Sequence, residues 1–150
     1  TRLNLPLKVG GKGRDLDRLR AMAGPTVEFL GFVPDDEVAG LMAGCRAFLF
    51  PGLEDFGITP VQAQAAGRPV IAYRGGGALD TVIPGLSGEL FDEQSVDSLA
   101  AVMSAFDESR YDPAAMRAHA LRFDQRAFVQ QIGDFVETTW GAFQHERPRA

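Results

Sequence analysis

The sequence predicts an α/β fold, a Rossmann-like parallel sheet with helices on both faces. Three features predict it: short apolar runs bounded by glycine or proline, a repeated strand-then-helix beat, and glycine-rich loops where strands give way to helices. The strand segments are continuously apolar rather than alternating, which suits a sheet covered on both faces better than one with a wet side. At 150 residues the chain suits one core, because folded chains of this size bury roughly two-thirds of the surface they expose when unfolded. Residues 1–144 read as that domain and residues 145–150 as a flexible tail.

The elements follow in order. Leu5 to Val9 is an apolar run that stops at Gly10-Gly11-Lys12-Gly13. Asp15 then caps a helix through Ala23, with Leu16, Leu19 and Met22 on one face. Gly24-Pro25 ends that helix, Val27 to Leu30 forms the second strand, and Pro34-Asp35-Asp36-Glu37 opens a second helix. Ala47 to Phe50 is the third strand, Ile58 to Ala66 the third helix, and Pro69 to Tyr73 the fourth strand. A short helix over Ala78 to Val82 and a short strand over Gly88 to Phe91 come next. Helices over Ser95 to Phe106, Pro113 to Arg122 and Arg126 to Trp140 close the chain.

Composition excludes several classes. Fifteen basic against twenty acidic residues give a net charge of −5, which repels a phosphate backbone, so nucleic acid is not an expected partner. Cys45, the single cysteine, lies among small residues before an apolar strand and reads as a buried thiol with no disulfide or zinc partner. This points to a reducing, cytoplasmic setting. No apolar run reaches the ~18 residues of a spanning helix, and the start lacks a leader pattern.

Ligands of open parallel sheets sit beyond the carboxyl ends of the strands. Three glycine-bearing loops are expected at that edge: Gly10 to Gly13, Glu54-Asp55-Phe56-Gly57, and Gly75 to Gly77. A helix start beside such a loop offers free N–H groups and a partial positive charge, which suits a phosphorylated ligand. For the first and last loops, turn geometry alone accounts for the glycines. Glu54 to Gly57 combines acidic side chains, an aromatic ring and a glycine between a buried strand and a helix start, and it reads as functional.

The run Phe50-Pro51-Gly52-Leu53-Glu54-Asp55-Phe56-Gly57-Ile58-Thr59-Pro60-Val61-Gln62-Ala63-Gln64-Ala65-Ala66-Gly67-Arg68-Pro69-Val70-Ile71-Ala72 resembles the signature of retaining GT-B glycosyltransferases of the glycosyl transferases group 1 family, many of them mannosyltransferases. Val27 to Gly31, Gly75 to Val82 and Gly85 to Gly88 extend the similarity. The resemblance implies the donor-binding, C-terminal half of such an enzyme. It implies that Glu54 faces the donor sugar, that the backbone of Phe56, Gly57 and Ile58 points toward sugar and diphosphate, and that Asp55 and Thr59 belong to the same donor loop. The family pattern is glutamate, seven residues, glutamate; here Gln62 holds the second position, the one that reaches the ribose. An amide bonds a diol without charge, so weaker ribose binding is expected. The competing reading makes Gln62 a surface residue, with Gln64 two positions on. The turn Gly31-Phe32-Val33-Pro34 corresponds to one that lies against the nucleotide base, and Gly10 and Lys12 are expected near phosphate or base.

The resemblance further implies an N-terminal acceptor domain and a first strand and helix of the donor domain ahead of Thr1, with the missing strand between those at Leu5 and Ala47. Unpaired edges there allow self-association. The implied reaction moves a sugar, GDP-mannose being the first expectation, to a glycan or lipid acceptor with retained anomeric configuration. The nucleotide sugar is a substrate, with no cofactor and no metal-ligand set expected, and peripheral association of the full enzyme with the inner face of the membrane is compatible with a lipid acceptor. His119, beside Arg117 and Arg122, reads as a surface or helix-end residue and receives no role. Two rival readings are a non-catalytic nucleotide- or partner-binding module, and a dinucleotide-dependent oxidoreductase, which lacks G-x-G-x-x-G after the first strand.

Overall fold

The computed structural model describes residues 2–146, and side-chain surroundings through residue 144. The order is β1 (Leu7–Gly10), α1 (Leu16–Met22), β2 (Val27–Gly31), α2 (Asp35–Gly44), β3 (Phe48–Phe50), α3 (Ile58–Ala65), β4 (Val70–Tyr73), α4 (Ala78–Thr81), β5 (Gly88–Phe91), α5 (Val96–Ala105), α6 (Pro113–Ala120) and α7 (Gln125–Glu146). Single 3-10 turns at Glu108–Arg110 and Leu121–Phe123 flank α6. All strand pairings are parallel, but they fall into two sheets, β1-β2 and β3-β4-β5. Among the described residues β1 pairs only with β2 and β3 only with β4. The sheet is thus parted between β1 and β3, the place where the sequence reading puts its missing strand.

The core belongs to the three-stranded sheet. Register pairs Val70 with Gly88 and Ala72 with Leu90, so these alternate residues share one face. That face meets Met42 of α2, Ala63 of α3 and Ala78 of α4, with Phe50 and Val82 completing the cluster. Ile71 and Phe91 lie on the opposite face at 2 % exposure each; α5 packs against β5 and α6 against α3. Burying such a side chain stabilises the fold by about 1.5–3 kcal/mol. Val70-Ile71-Ala72 is buried throughout, as a doubly covered strand should be.

The two-stranded sheet is different. β1 alternates no face into a core, its Leu7 and Lys8 being exposed and only Val9 half-buried, and α1 buries no residue. Continuous burial, expected of every strand, therefore holds for β4 and not for β1. A strand paired on one edge beside a helix with no buried residue has too little covering it. Asp15 does occupy the N-cap of α1, yet among the described residues its side chain makes no capping bond. Ser95, by contrast, accepts from the Ser98 amide at the start of α5. The last helix continues past Trp140 to Glu146, so the expected tail begins inside it; residues 147–150 lie outside the described residues. Cys45 is half-buried rather than fully enclosed.

Candidate functional site

The loop after β3 leads into α3 at the carboxyl edge of the sheet. Gly57 occupies the N-cap of α3 with φ +79°, a left-handed conformation that glycine adopts without steric cost. A Cβ there would also meet the Phe50 ring at 3.1 Å. Ile58 and Thr59 are exposed in the first turn, and Pro60 is buried behind them. Among the described residues no side chain caps this end and no acid sits in the first turn of the helix. The leading N–H groups of α3 therefore keep their partial positive charge for a ligand.

The loop is held from behind by Gly75 to Gly77. The Gly77 amide donates to the Glu54 carbonyl at 2.9 Å. Gly76 has φ +55°, and a Cβ on it would lie 2.1 Å from the same carbonyl oxygen; a Cβ on Gly77 would lie 2.3 Å from Phe56 Cα. These glycines do more than turn the chain, contrary to the reading of them as turn geometry alone, because they let two backbones touch. Glu54 and Asp55 are exposed. Together with Leu53, Phe56, Gly57, Ile58 and Thr59 they line an open concavity of about 640 Å³.

The structure thus brings Glu54, Asp55, Phe56, Gly57, Ile58 and Thr59 together. Gln62 is exposed on α3 and stands outside that lining. Gly10, Lys12, Phe32 and Val33 form a second group at the carboxyl ends of β1 and β2. There Lys12 Nζ lies 5.9 Å from the Phe32 ring centroid, a Cβ on Gly10 would meet Val33 Cγ2 at 3.2 Å, and Gly11 donates to the Gly31 carbonyl at 2.6 Å. This group does not line the concavity.

Two residues near the site escaped the sequence reading. Gln64 is 0 % exposed and His119 only 6 %, so His119 is a buried residue and not a surface one. The available signal was spacing: Met116, His119, Ala120 and Phe123 recur at i, i+3, i+4 and i+7, one face of a helix. Phe123 in turn packs edge-on against Phe56, at 5.9 Å between centroids.

Comparison with known proteins gives this geometry a context. The family model for glycosyl transferases group 1 matches residues 1–123, ending just before α7. The alpha-1,3/1,6-mannosyltransferase ALG2 of Dictyostelium discoideum is 33% identical over 120 residues, covering 74% of this chain and 28% of its own length. A GDP-mannose-dependent monoacylated alpha-(1-6)-phosphatidylinositol monomannoside mannosyltransferase of Corynebacterium glutamicum is 32% identical over 123 residues, covering 75% of this chain and 32% of its own. Among solved structures, Anabaena Alr3699/HepE in complex with UDP and glucose superposes with a TM-score of 0.69 at 26% identity, over 89% of this chain and 40% of that one. The chain spans about a third of the length of the curated relatives it matches. With the parallel sheets, the loop before α3 and this match over most of its length, the chain belongs to the glycosyl transferases group 1 family.

Proposed function

We propose that the concavity in front of α3 holds a nucleotide-diphosphate sugar, and that residues 1–144 act as one donor-binding unit of a retaining transferase. The observation that carries this is a single lining that joins two chemistries, an uncapped helix start and a pair of exposed carboxylates. The carboxylates of Glu54 and Asp55 repel a diphosphate, so the phosphates belong at the amides of Ile58 and Thr59 and the sugar toward Glu54, whose oxygens accept from hydroxyls. A helix start that balances the leaving diphosphate lowers the barrier to its departure. The names of the two curated relatives support mannose as the sugar, and that of the Corynebacterium glutamicum relative supports GDP as its carrier; the UDP and glucose of the solved neighbour support the same site chemistry with another base. Catalysis needs no cofactor in this reading, and the acceptor, a glycan or a lipid, is bound by a further domain in a cytoplasmic enzyme that meets the inner membrane face. Among the described residues no helix is long and apolar enough to cross a membrane.

Gln62 favours a second reading, a module that binds a nucleotide without transferring a sugar, because it stands where the family has a charged ribose ligand and lies outside the concavity. Calorimetric titration with GDP-mannose, UDP-glucose and ADP-glucose tests the first. Saturable binding of one sugar conjugate more tightly than its bare diphosphate is the expected result. Equal binding of the bare diphosphate favours the second reading, and binding of none removes the donor site.

A further inference from the structure

Beneath the donor loop lies a set of buried groups that do not line the concavity. Gln64 Nε2 donates to the Thr81 carbonyl at 2.9 Å, and His119 Nε2 stands 3.1 Å from the same oxygen. A carbonyl only accepts, so His119 carries its proton on Nε2. This carbonyl closes α4, a single turn of four residues, too short to be stable alone. Its last carbonyls have no partner within the helix, and two side chains from α3 and α6 supply one. The other end of the turn holds the loop: the Thr81 hydroxyl donates to the Gly77 carbonyl at 2.9 Å, and the Gly77 amide donates to the Glu54 carbonyl at 2.9 Å.

An aromatic route reaches the same loop. His119 meets the Phe123 ring edge-on at 5.5 Å and 78°, and Phe123 meets Phe56 at 5.9 Å and 64°. Hydrogen bonds and ring contacts therefore leave one imidazole in two directions and converge on neighbouring residues, Glu54 and Phe56. Edge-to-face pairs at these separations are attractive. A space-filling apolar residue at position 119 would provide only the ring route, and a buried polar side chain is tolerated only where it is hydrogen-bonded.

We propose that His119 is a positioning residue for the Glu54–Phe56 loop, acting through Thr81 and α4 with Gln64 as the second donor and through Phe123 on Phe56. Its bearing on the donor rests on the function proposed above; its hold on the loop does not. Amide hydrogen exchange in the free chain tests that hold, with Gly77 reporting the loop and Ile71 of β4 the core. His119→Phe keeps a ring and removes the donor. It is expected to speed Gly77 exchange about 3- to 10-fold relative to Ile71, the size of one hydrogen bond. His119→Gln, which keeps an N–H, is expected to restore the ratio to within about 2-fold. Should His119→Phe fail to fold, Gln64→Leu removes the other donor and is expected to act likewise. Parallel acceleration of Gly77 and Ile71, or no change at Gly77, overturns the proposal.

Titration of the same variants with UDP-glucose and GDP-mannose separates the two readings. Loss of about 3- to 10-fold in donor affinity in His119→Phe, recovered in His119→Gln, is expected. Unchanged affinity alongside altered exchange removes His119 from donor positioning. Absence of donor binding by the unaltered chain, with Gly77 responding as stated, counts against the donor site and leaves the hold on the loop standing.

Discussion

Replacing Gly77 by alanine isolates the contact between the glycine loop and the Glu54–Phe56 loop before α3. Gly77 has φ −62° and ψ −14°, ordinary values for any residue, so the backbone itself raises no objection. At such a position alanine should stabilise by about 0.4–1 kcal/mol through the unfolded chain. The added Cβ, however, would stand 2.3 Å from both Cα and O of Phe56 and 2.5 Å from its carbonyl carbon, and those are backbone atoms without a rotamer to change. Restoring an ordinary carbon contact of about 3.5–4.0 Å requires the loop to move more than about 1 Å, which pulls the Glu54 carbonyl from the Gly77 amide. Overpacking of this kind costs about 1–3 kcal/mol, which outweighs that gain, so the net change should be destabilising by up to about 2.6 kcal/mol. Urea unfolding reads it, with Gly40→Ala as the control. Gly40 lies inside α2 with open space around its absent Cβ, and alanine there should stabilise by about 0.5–1 kcal/mol. A Gly77→Ala midpoint equal to or above that of Gly40→Ala would refute the close approach.

Other outcomes follow from the same geometry. Glu54→Gln should lower affinity for UDP-glucose or GDP-mannose about 10-fold without lowering affinity for the bare diphosphate, because that carboxylate accepts from the sugar and only repels the phosphates; calorimetry distinguishes the two. Gln62→Glu should raise donor affinity about 3- to 10-fold if its side chain reaches the ribose, and an unchanged or lower affinity sets it aside as a surface residue. Tyr111 donates to Glu89 Oε1 at 2.5 Å, and burial, then that bond and the Glu89 charge, push its phenol above the ordinary tyrosine range. Its stabilisation is therefore complete below about pH 10 and lost above it, where the unfolded chain ionises first. The tyrosinate absorbance missing from Tyr111→Phe should accordingly appear late in an alkaline titration. Burial likewise raises the Cys45 thiol, Arg68 offsetting part of the effect, so alkylation near pH 8.5 should run more slowly in the folded than in the urea-unfolded chain.

The parts of the fold that local chemistry dictates were readable from the chain. β5 was placed at Gly88 to Phe91 and α3 from Ile58, because glycine, proline and apolar runs mark their ends directly. Boundaries drifted where the stop is weak, as after Trp140, where Gly141 offers an end that the helix runs through to Glu146. Exposure of β1 could not be read from Leu5 to Val9, since an apolar strand looks the same whether or not a neighbour covers it. The loop before α3 was legible as a unit because its residues are contiguous. Its supports were not: Gly77 and Thr81 at the ends of α4, Gln64 of α3 and His119 of α6 come from three separate segments and meet only through packing. His119 does lie in the last turn of α6, as a helix-end residue should, but its burial was missed by weighing its charged neighbours Arg117 and Arg122 over its spacing from Met116 and Phe123.

The central claim is that a nucleotide sugar sits where α3 begins. Amide chemical-shift mapping of the chain titrated with GDP-mannose and UDP-glucose tests it most directly. Saturable shifts largest at Ile58 and Thr59, with Glu54 and Asp55 next, are predicted. Shifts concentrated elsewhere, for example around Tyr111 and Phe106, or none at saturating ligand, would contradict it.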